Sequence, residues 1–252
     1  GRNTPYRTLV CYKETHANTT IDPLDPPTWT DTWRDPRFSP PADGGRPENA
    51  LTGQIFMVNG IQFNDLTVGP EYGKMRFWRD TGLANMSHVD PPVTVGRSIL
   101  GFEWDEDLDN GHRPPGAFRL SSTSANVAGL LMDFGSAYAP GVATHSLTLY
   151  RHNSGALVFG AGTVQWSWGL DGIHDNNASA PDDGPDLRIQ QATVNLFADM
   201  GEQPYSLQPG LVAAIASNDM IPPASTIASP ATGSSVVSGQ PIAITGTADD
   251  TG

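Results

Sequence analysis

The sequence predicts an α/β fold set in extensive β-rich loops and insertions and followed by a truncated β tail. Three observations predict it. Residues 156–163 form a continuous apolar run ending in small residues, the pattern of a strand covered on both faces with a glycine-lined exit. Residues 185–200 read as a helix: Pro185 suits its first position, Asp182, Asp183 and Asp186 its positive end, and Gly201 its C′ position. Within it, Ile189, Ala192, Leu196 and Met200 recur at close to helical period. Several short β-prone runs bounded by Gly, Pro and Asp precede this pair.

In chain order, residues 5–13 hold a β-prone run. Residues 20–50 carry no useful period, and a loop of that length is expected to be functional or clamped by its own aromatics, here Trp29, Trp33 and Phe38. Residues 49–60 read as a short turn passing into a strand. Further strands are expected at 61–68, 73–78, 98–104, 117–120, 127–134 and 144–150. Past residue 221 the composition changes: Ile221-Pro222-Pro223-Ala224-Ser225 reads as a linker, and Arg188 is the last basic residue. Strands at 226–233, 236–239 and 241–248 resemble the opening of a bacterial immunoglobulin-like module, too short to close a sandwich that needs ~100 residues. The expected organisation is therefore one domain over 1–220 and a linker with an incomplete module over 221–252. The first residues lack an initiator methionine and a secretory pattern, so the chain is expected to be cut from a longer polypeptide.

Composition removes whole classes of function. The 252 residues carry 14 basic and 27 acidic side chains, a formal net charge of −13, and the pI is about 4.6. So few cations cannot assemble a phosphate-binding face, which excludes nucleic acid as the main partner and disfavours anionic membranes. No run of 18 apolar residues is present, so membrane insertion is not expected. Gly (27) and Pro (22) approach the proportion at which disorder enters, but 6 Trp, 9 Phe and 6 Tyr supply enough burial for a folded core. Cys11 is alone and mid-strand, a buried thiol rather than a nucleophile, and no Gly-x-Ser-x-Gly elbow exists.

Several stretches, taken together and in order, resemble the C-terminal region of the N,N-dimethylformamidase large (β) subunit-like family. They are residues 7–14, Thr32-Trp33-Arg34-Asp35-Pro36-Arg37, Pro47-Glu48-Asn49-Ala50-Leu51-Thr52-Gly53, Arg76-Phe77-Trp78-Arg79, residues 101–111 and residues 160–170. The resemblance covers roughly residues 5–215. It implies a class I glutamine-amidotransferase-like α/β core and, in active members, hydrolysis of a small amide at a mononuclear iron. It places the iron ligands outside this chain, matches Glu103 to a carboxylate that assists near the metal, and implies secretion.

The residues themselves offer further candidates. Glu103-Trp104-Asp105-Glu106-Asp107-Leu108-Asp109 gathers five carboxylates. If 98–104 is a strand, Glu103 lies near its end, and exclusion from water beside Trp104 would raise its pKa towards the range of a general acid or base. The alternative is a solvated acidic turn. Asp105, Asp107 and Asp109 alternate as calcium ligands do, although Asn110 and Gly116 stand where an EF-hand requires Gly and Glu, so only a looser calcium site is open. Asp175, Asn176, Asp182, Asp183 and Asp186 form a second oxygen-rich loop, explained mainly by helix capping. None of the six histidines shows zinc spacing. His145, Thr163, Gln165, Trp166 and His174, with Trp104, are candidates for a pocket at the glycine-lined exit; Trp166 and Trp168 would share a strand face, either as core or as a stacking surface for a sugar.

Two functions follow. The first is part of a secreted amidohydrolase whose metal site is completed elsewhere in the same protein, this chain alone being inactive. The second is an extracellular glycan- or surface-binding or structural module. Small amide and polysaccharide both remain open as ligands.

Overall fold

A computed structural model describes residues 34–35, 45–174, 184–218 and 224–249. The expectations placed on residues 5–13, on Trp29, Trp33 and Phe38, on Cys11 and His16, and on Asp175, Asn176, Asp182 and Asp183 lie outside the described residues. The chain divides into two compact units, Gly1–Ile215 and Ala216–Gly252.

The first unit runs α1 (Asn49–Thr52), β1 (Ile55–Asn64), β2 (Thr67–Val68), α2 (Pro70–Gly73), β3 (Val93–Thr94), β4 (Leu100–Glu106), β5 (Phe118–Arg119), β6 (Thr123–Met132), β7 (Ala137–His145), β8 (Thr148–Arg151), β9 (Leu157–Gly160) and α3 (Leu187–Asp199). Its main sheet has the order β4-β1-β6-β7; β5-β8-β9 and β2-β3 form smaller sheets. Every strand pairing among the described residues is antiparallel. The α/β, glutamine-amidotransferase-like core expected from the sequence is therefore not the fold of this chain, which is predominantly antiparallel β.

Residues 156–163 show why. Instead of a doubly covered parallel strand they yield β9, a half-buried strand lying antiparallel on β8 with Tyr150 opposite Val158. The two strands are joined by a tight turn in which the Gly155 N–H donates to His152 O (2.8 Å). Gly155 takes φ +91°, a left-handed conformation that glycine adopts without strain. A hairpin needs no crossover helix, so the α/β unit dissolves. Two other segments depart from the expected strands: Arg76–Trp78 and Trp166–Gly169 are 3₁₀ turns. Trp168 is buried, whereas Trp166 is half-buried against Phe159 (ring centroids 5.5 Å apart), so the two indoles do not share a strand face.

The one long helix among the described residues forms where its period puts it, but Pro185 lies before the N-cap and not at the first helical position. Asp186 is the N-cap, its carboxylate accepting the Arg188 N–H (2.8 Å), and Ile189, Ala192 and Leu196 are buried. This helix is gripped by the Arg76–Arg79 stretch: the Asn195 side-chain amide donates to Phe77 O (2.9 Å) and Arg79 O (2.7 Å), and the Arg79 guanidinium meets both carboxylate oxygens of Asp199. Trp78, fully buried, donates its indole N–H to Leu120 O (2.7 Å), and with Trp104, Trp168, Leu66, Ile99, Leu147 and Ile189 it forms the centre of one core.

In the second unit β10 (Ala224–Ser229) and β11 (Thr245–Asp249) pair antiparallel. Every residue in these two strands is exposed, and together they do not make an immunoglobulin-like sandwich.

Candidate functional site

Strand β4 carries the acidic run, and side-chain alternation places Trp104 and Glu106 inward and Glu103 and Asp105 on the opposite face. Glu103 is exposed, so the exclusion from water that the sequence reading required of it is not met. Asp105, two residues on, is the partly buried group. Its carboxyl is pushed up from 3.8 to about 6, first by burial and then by the charge of Glu48, with Glu103 adding to the effect and Arg34 opposing it.

The surroundings of Asp105 come from distant parts of the chain. Across the β4–β1 ladder it faces Phe56. Its own N–H turns the other way and donates to Gly162 O (2.8 Å). The Phe56 C=O accepts from Arg34 Nη1 (2.7 Å), and the Phe56 N–H donates to Glu48 Oε1 (3.1 Å). Arg34 and Glu48 pair directly, with side chains only 11% and 17% exposed. The ion pair thus satisfies a backbone unit next to an irregularity in the β1 register and fixes two charges beside Asp105. Arg34, Glu48, Asp105 and Gly162 belong to four of the stretches that carry the family resemblance. The sequence reading missed Arg34 and Glu48 as site residues; their membership in those stretches was the available signal.

Beside this cluster opens a cleft of about 500 Å³. Arg34 lines it together with an apolar wall that includes Ile55, Met57, Leu108, Leu131 and Phe134. Asn110, also in the lining, is held by the Asn49 amide (2.8 Å). One rim is the β6–β7 connection, where Asp133 and Phe134 both take positive φ (49° and 59°), an uncommon conformation for non-glycine residues.

The other acidic candidates separate. The Asp107 carboxylate accepts from Arg113 Nε (2.6 Å) and Nη2 (2.9 Å) and from Arg119 Nε (2.8 Å). Burial pushes this carboxyl up, but the hydrogen bonds from the two arginines outweigh it and hold the group below its ordinary value. Asp109 is exposed. No group of three or more His, Cys, Asp or Glu among the described residues is arranged to hold a metal. Asp105, Asp107 and Asp109 therefore do not make a calcium cage, and an iron ion would need ligands from beyond the described residues.

The residues expected to line a glycine-rich mouth are packed instead. Trp104 is buried, its ring meeting His145 edge-on at 5.9 Å. His145 is fully buried, which holds its pKa down at about 4, and its Nε2 lies 2.9 Å from Ala161 O. The Thr163 hydroxyl lies 2.7 Å from Ile99 O and accepts the Gly101 N–H (3.1 Å), stapling its loop to β4. Gln165 is buried, Trp166 packs on Phe159, and His174 stacks on Trp168 (4.4 Å). Trp104, His145, Thr163 and Gln165 lie along one seam between β4 and the 160–165 loop; Trp166 and His174 are placed by other aromatics. None lines the cleft.

Fold and site define a class: an antiparallel β domain in which a buried guanidinium–carboxylate cluster adjoins an apolar cleft. The chain belongs to the N,N-dimethylformamidase beta subunit-like family, whose C-terminal region matches residues 1–180. It is thus a dimethylformamidase-related, amidohydrolase-like chain. No curated protein and no solved structure matches it.

Proposed function

We propose that this chain is part of a protein that hydrolyses the C–N bond of a small amide, with the substrate held in the cleft beside Arg34 and Asp105 acting in proton transfer. One observation supports this reading above others: a carboxyl raised to about 6 feels the charges of Glu48 and Arg34, and Arg34 itself lines an apolar cleft. Such a group exchanges a proton near neutral pH, as a general acid or base must. Amide hydrolysis adds water to a carbonyl carbon and returns a proton to the departing nitrogen, and a carboxyl of this kind takes up the first proton and delivers the second. Iron, by the family resemblance, would act as Lewis acid for the carbonyl or for water. Its ligands would come from outside the described residues, and secretion and contact with a preceding part of the same protein belong to the same proposal. The glycan- or surface-binding alternative drew on the aromatic and acidic loops, and burial of Trp168 removes the exposed Trp166–Trp168 pair from that support.

In the full-length protein, Asp105→Asn is expected to lower kcat on small amides by about 10²-fold or more with the fold retained. Glu103→Gln, an exposed change, is expected to leave kcat within about twofold. Full activity in Asp105→Asn would overturn the assignment.

A further inference from the structure

The loop that receives the Asp105 N–H is backed by a second polar cluster that amide hydrolysis does not use. The Gln54 amide occupies the space beside two glycines of this loop. A Cβ on Gly160 would stand 2.1 Å from Gln54 Oε1, and one on Gly162 would stand 2.4 Å from Nε2. Gln54 Nε2 also donates to Ser146 O. The Thr148 hydroxyl oxygen lies 2.6 Å from the same Cβ position at Gly160. Between the two glycines, Ala161 O receives His145 Nε2. Gln54, His145 and Thr148 thus each meet one or more of three consecutive residues, and Gln54 also ties in the backbone of Ser146.

Three atoms in this group are buried without a hydrogen-bond partner among the described residues: His145 Nδ1, Ser146 Oγ and Thr148 Oγ1. Their residues are each at most 1% exposed. Because a carbonyl only accepts, Nε2 carries the imidazole proton and Nδ1 is a bare acceptor. Two hydroxyls able both to donate and to accept accompany it. A buried polar atom left unpaired carries its full desolvation penalty, so three together call for an occupant. The occupant must donate to an imidazole nitrogen while exchanging hydrogen bonds with hydroxyls in a confined interior, which is the bonding pattern of water.

We infer that the corner between β7 and β8 is an internal hydration site, in which ordered water links His145 Nδ1 to the hydroxyls of Ser146 and Thr148 and supports the 160–162 loop. The water is a structural element holding the loop that orders the backbone of Asp105. The site stands whether or not Asp105 is catalytic.

The test uses the whole chain and two readouts. The ¹⁵N shift of His145 Nδ1 is expected at the position of a hydrogen-bonded acceptor in the native protein. In Thr148→Val, which keeps the shape and removes the hydroxyl, that signal is expected to move towards the unbonded position and Tm to fall by about 2–4 °C. An unbonded Nδ1 shift in the native protein would overturn the inference. So would a rise in Tm for Thr148→Val, the response of a hydroxyl that had no partner to lose.

Discussion

Asp107→Ala is expected to cost the protein about 3 kcal/mol of stability, the largest loss from any single carboxylate described here. The Asp107 side chain is 1% exposed and accepts three side-chain hydrogen bonds from Arg113 and Arg119. Removing it leaves two guanidinium groups facing an apolar surface where a carboxylate stood. The loss falls at the low end for a broken buried pair because Arg119, 47% exposed, can turn to water. The pH dependence has a definite sign. A carboxyl held below its ordinary value of 3.8 in the folded state contributes stability that is present above that value and lost as pH falls through the folded-state pKa. Urea unfolding of native protein and variant should therefore differ most at neutral pH and converge in acid.

Asp105→Asn is expected to act in the opposite direction, stabilising the protein at pH 7 by about 3 kcal/mol. This carboxyl is raised from 3.8 to about 6 on folding. The folded state therefore binds the proton more tightly than the unfolded chain between those values, and stability falls as pH rises through the window. At pH 4 the advantage of asparagine should be small; by pH 7 it should be complete. An aspartate that weakens the fold when ionised, and whose charge is felt by an arginine lining the cleft, follows the pattern in which a site is maintained at the expense of stability. Unfolding measured at both pH values checks the sign, and an Asp105→Asn protein less stable than native at pH 7 would show that the ionised carboxylate is well paired.

The contrast between two aspartates two residues apart indicates how far sequence reading reaches. Alternation along 98–104 correctly separates Trp104 from its neighbours, and caps with period locate α3. Alternation also puts Glu103 and Asp105 on one face without saying which of them is covered. That depends on Arg34 and Glu48, brought in through the backbone of Phe56, and pairings between such distant stretches have no local signature. The acidic spacing suggested calcium for the same reason: nothing in the residues 105–109 shows that Arg113 and Arg119 fold back onto Asp107. The fold class failed at a comparable point. A continuous apolar run has the same appearance whether it becomes a parallel strand under helices or one arm of a hairpin. Ser154-Gly155 between residues 144–150 and 156–163 was the turn signal that decided it.

The proposed activity requires Asp105 to be the proton-exchanging group. Its side-chain carboxyl can be followed directly by ¹³C NMR as pH is varied, with Asp105→Asn used to assign the signal. A midpoint near 6, moving down in Glu48→Gln as the neighbouring charge is removed, is the predicted result. A midpoint near 3.8, unaffected by that substitution, would contradict it.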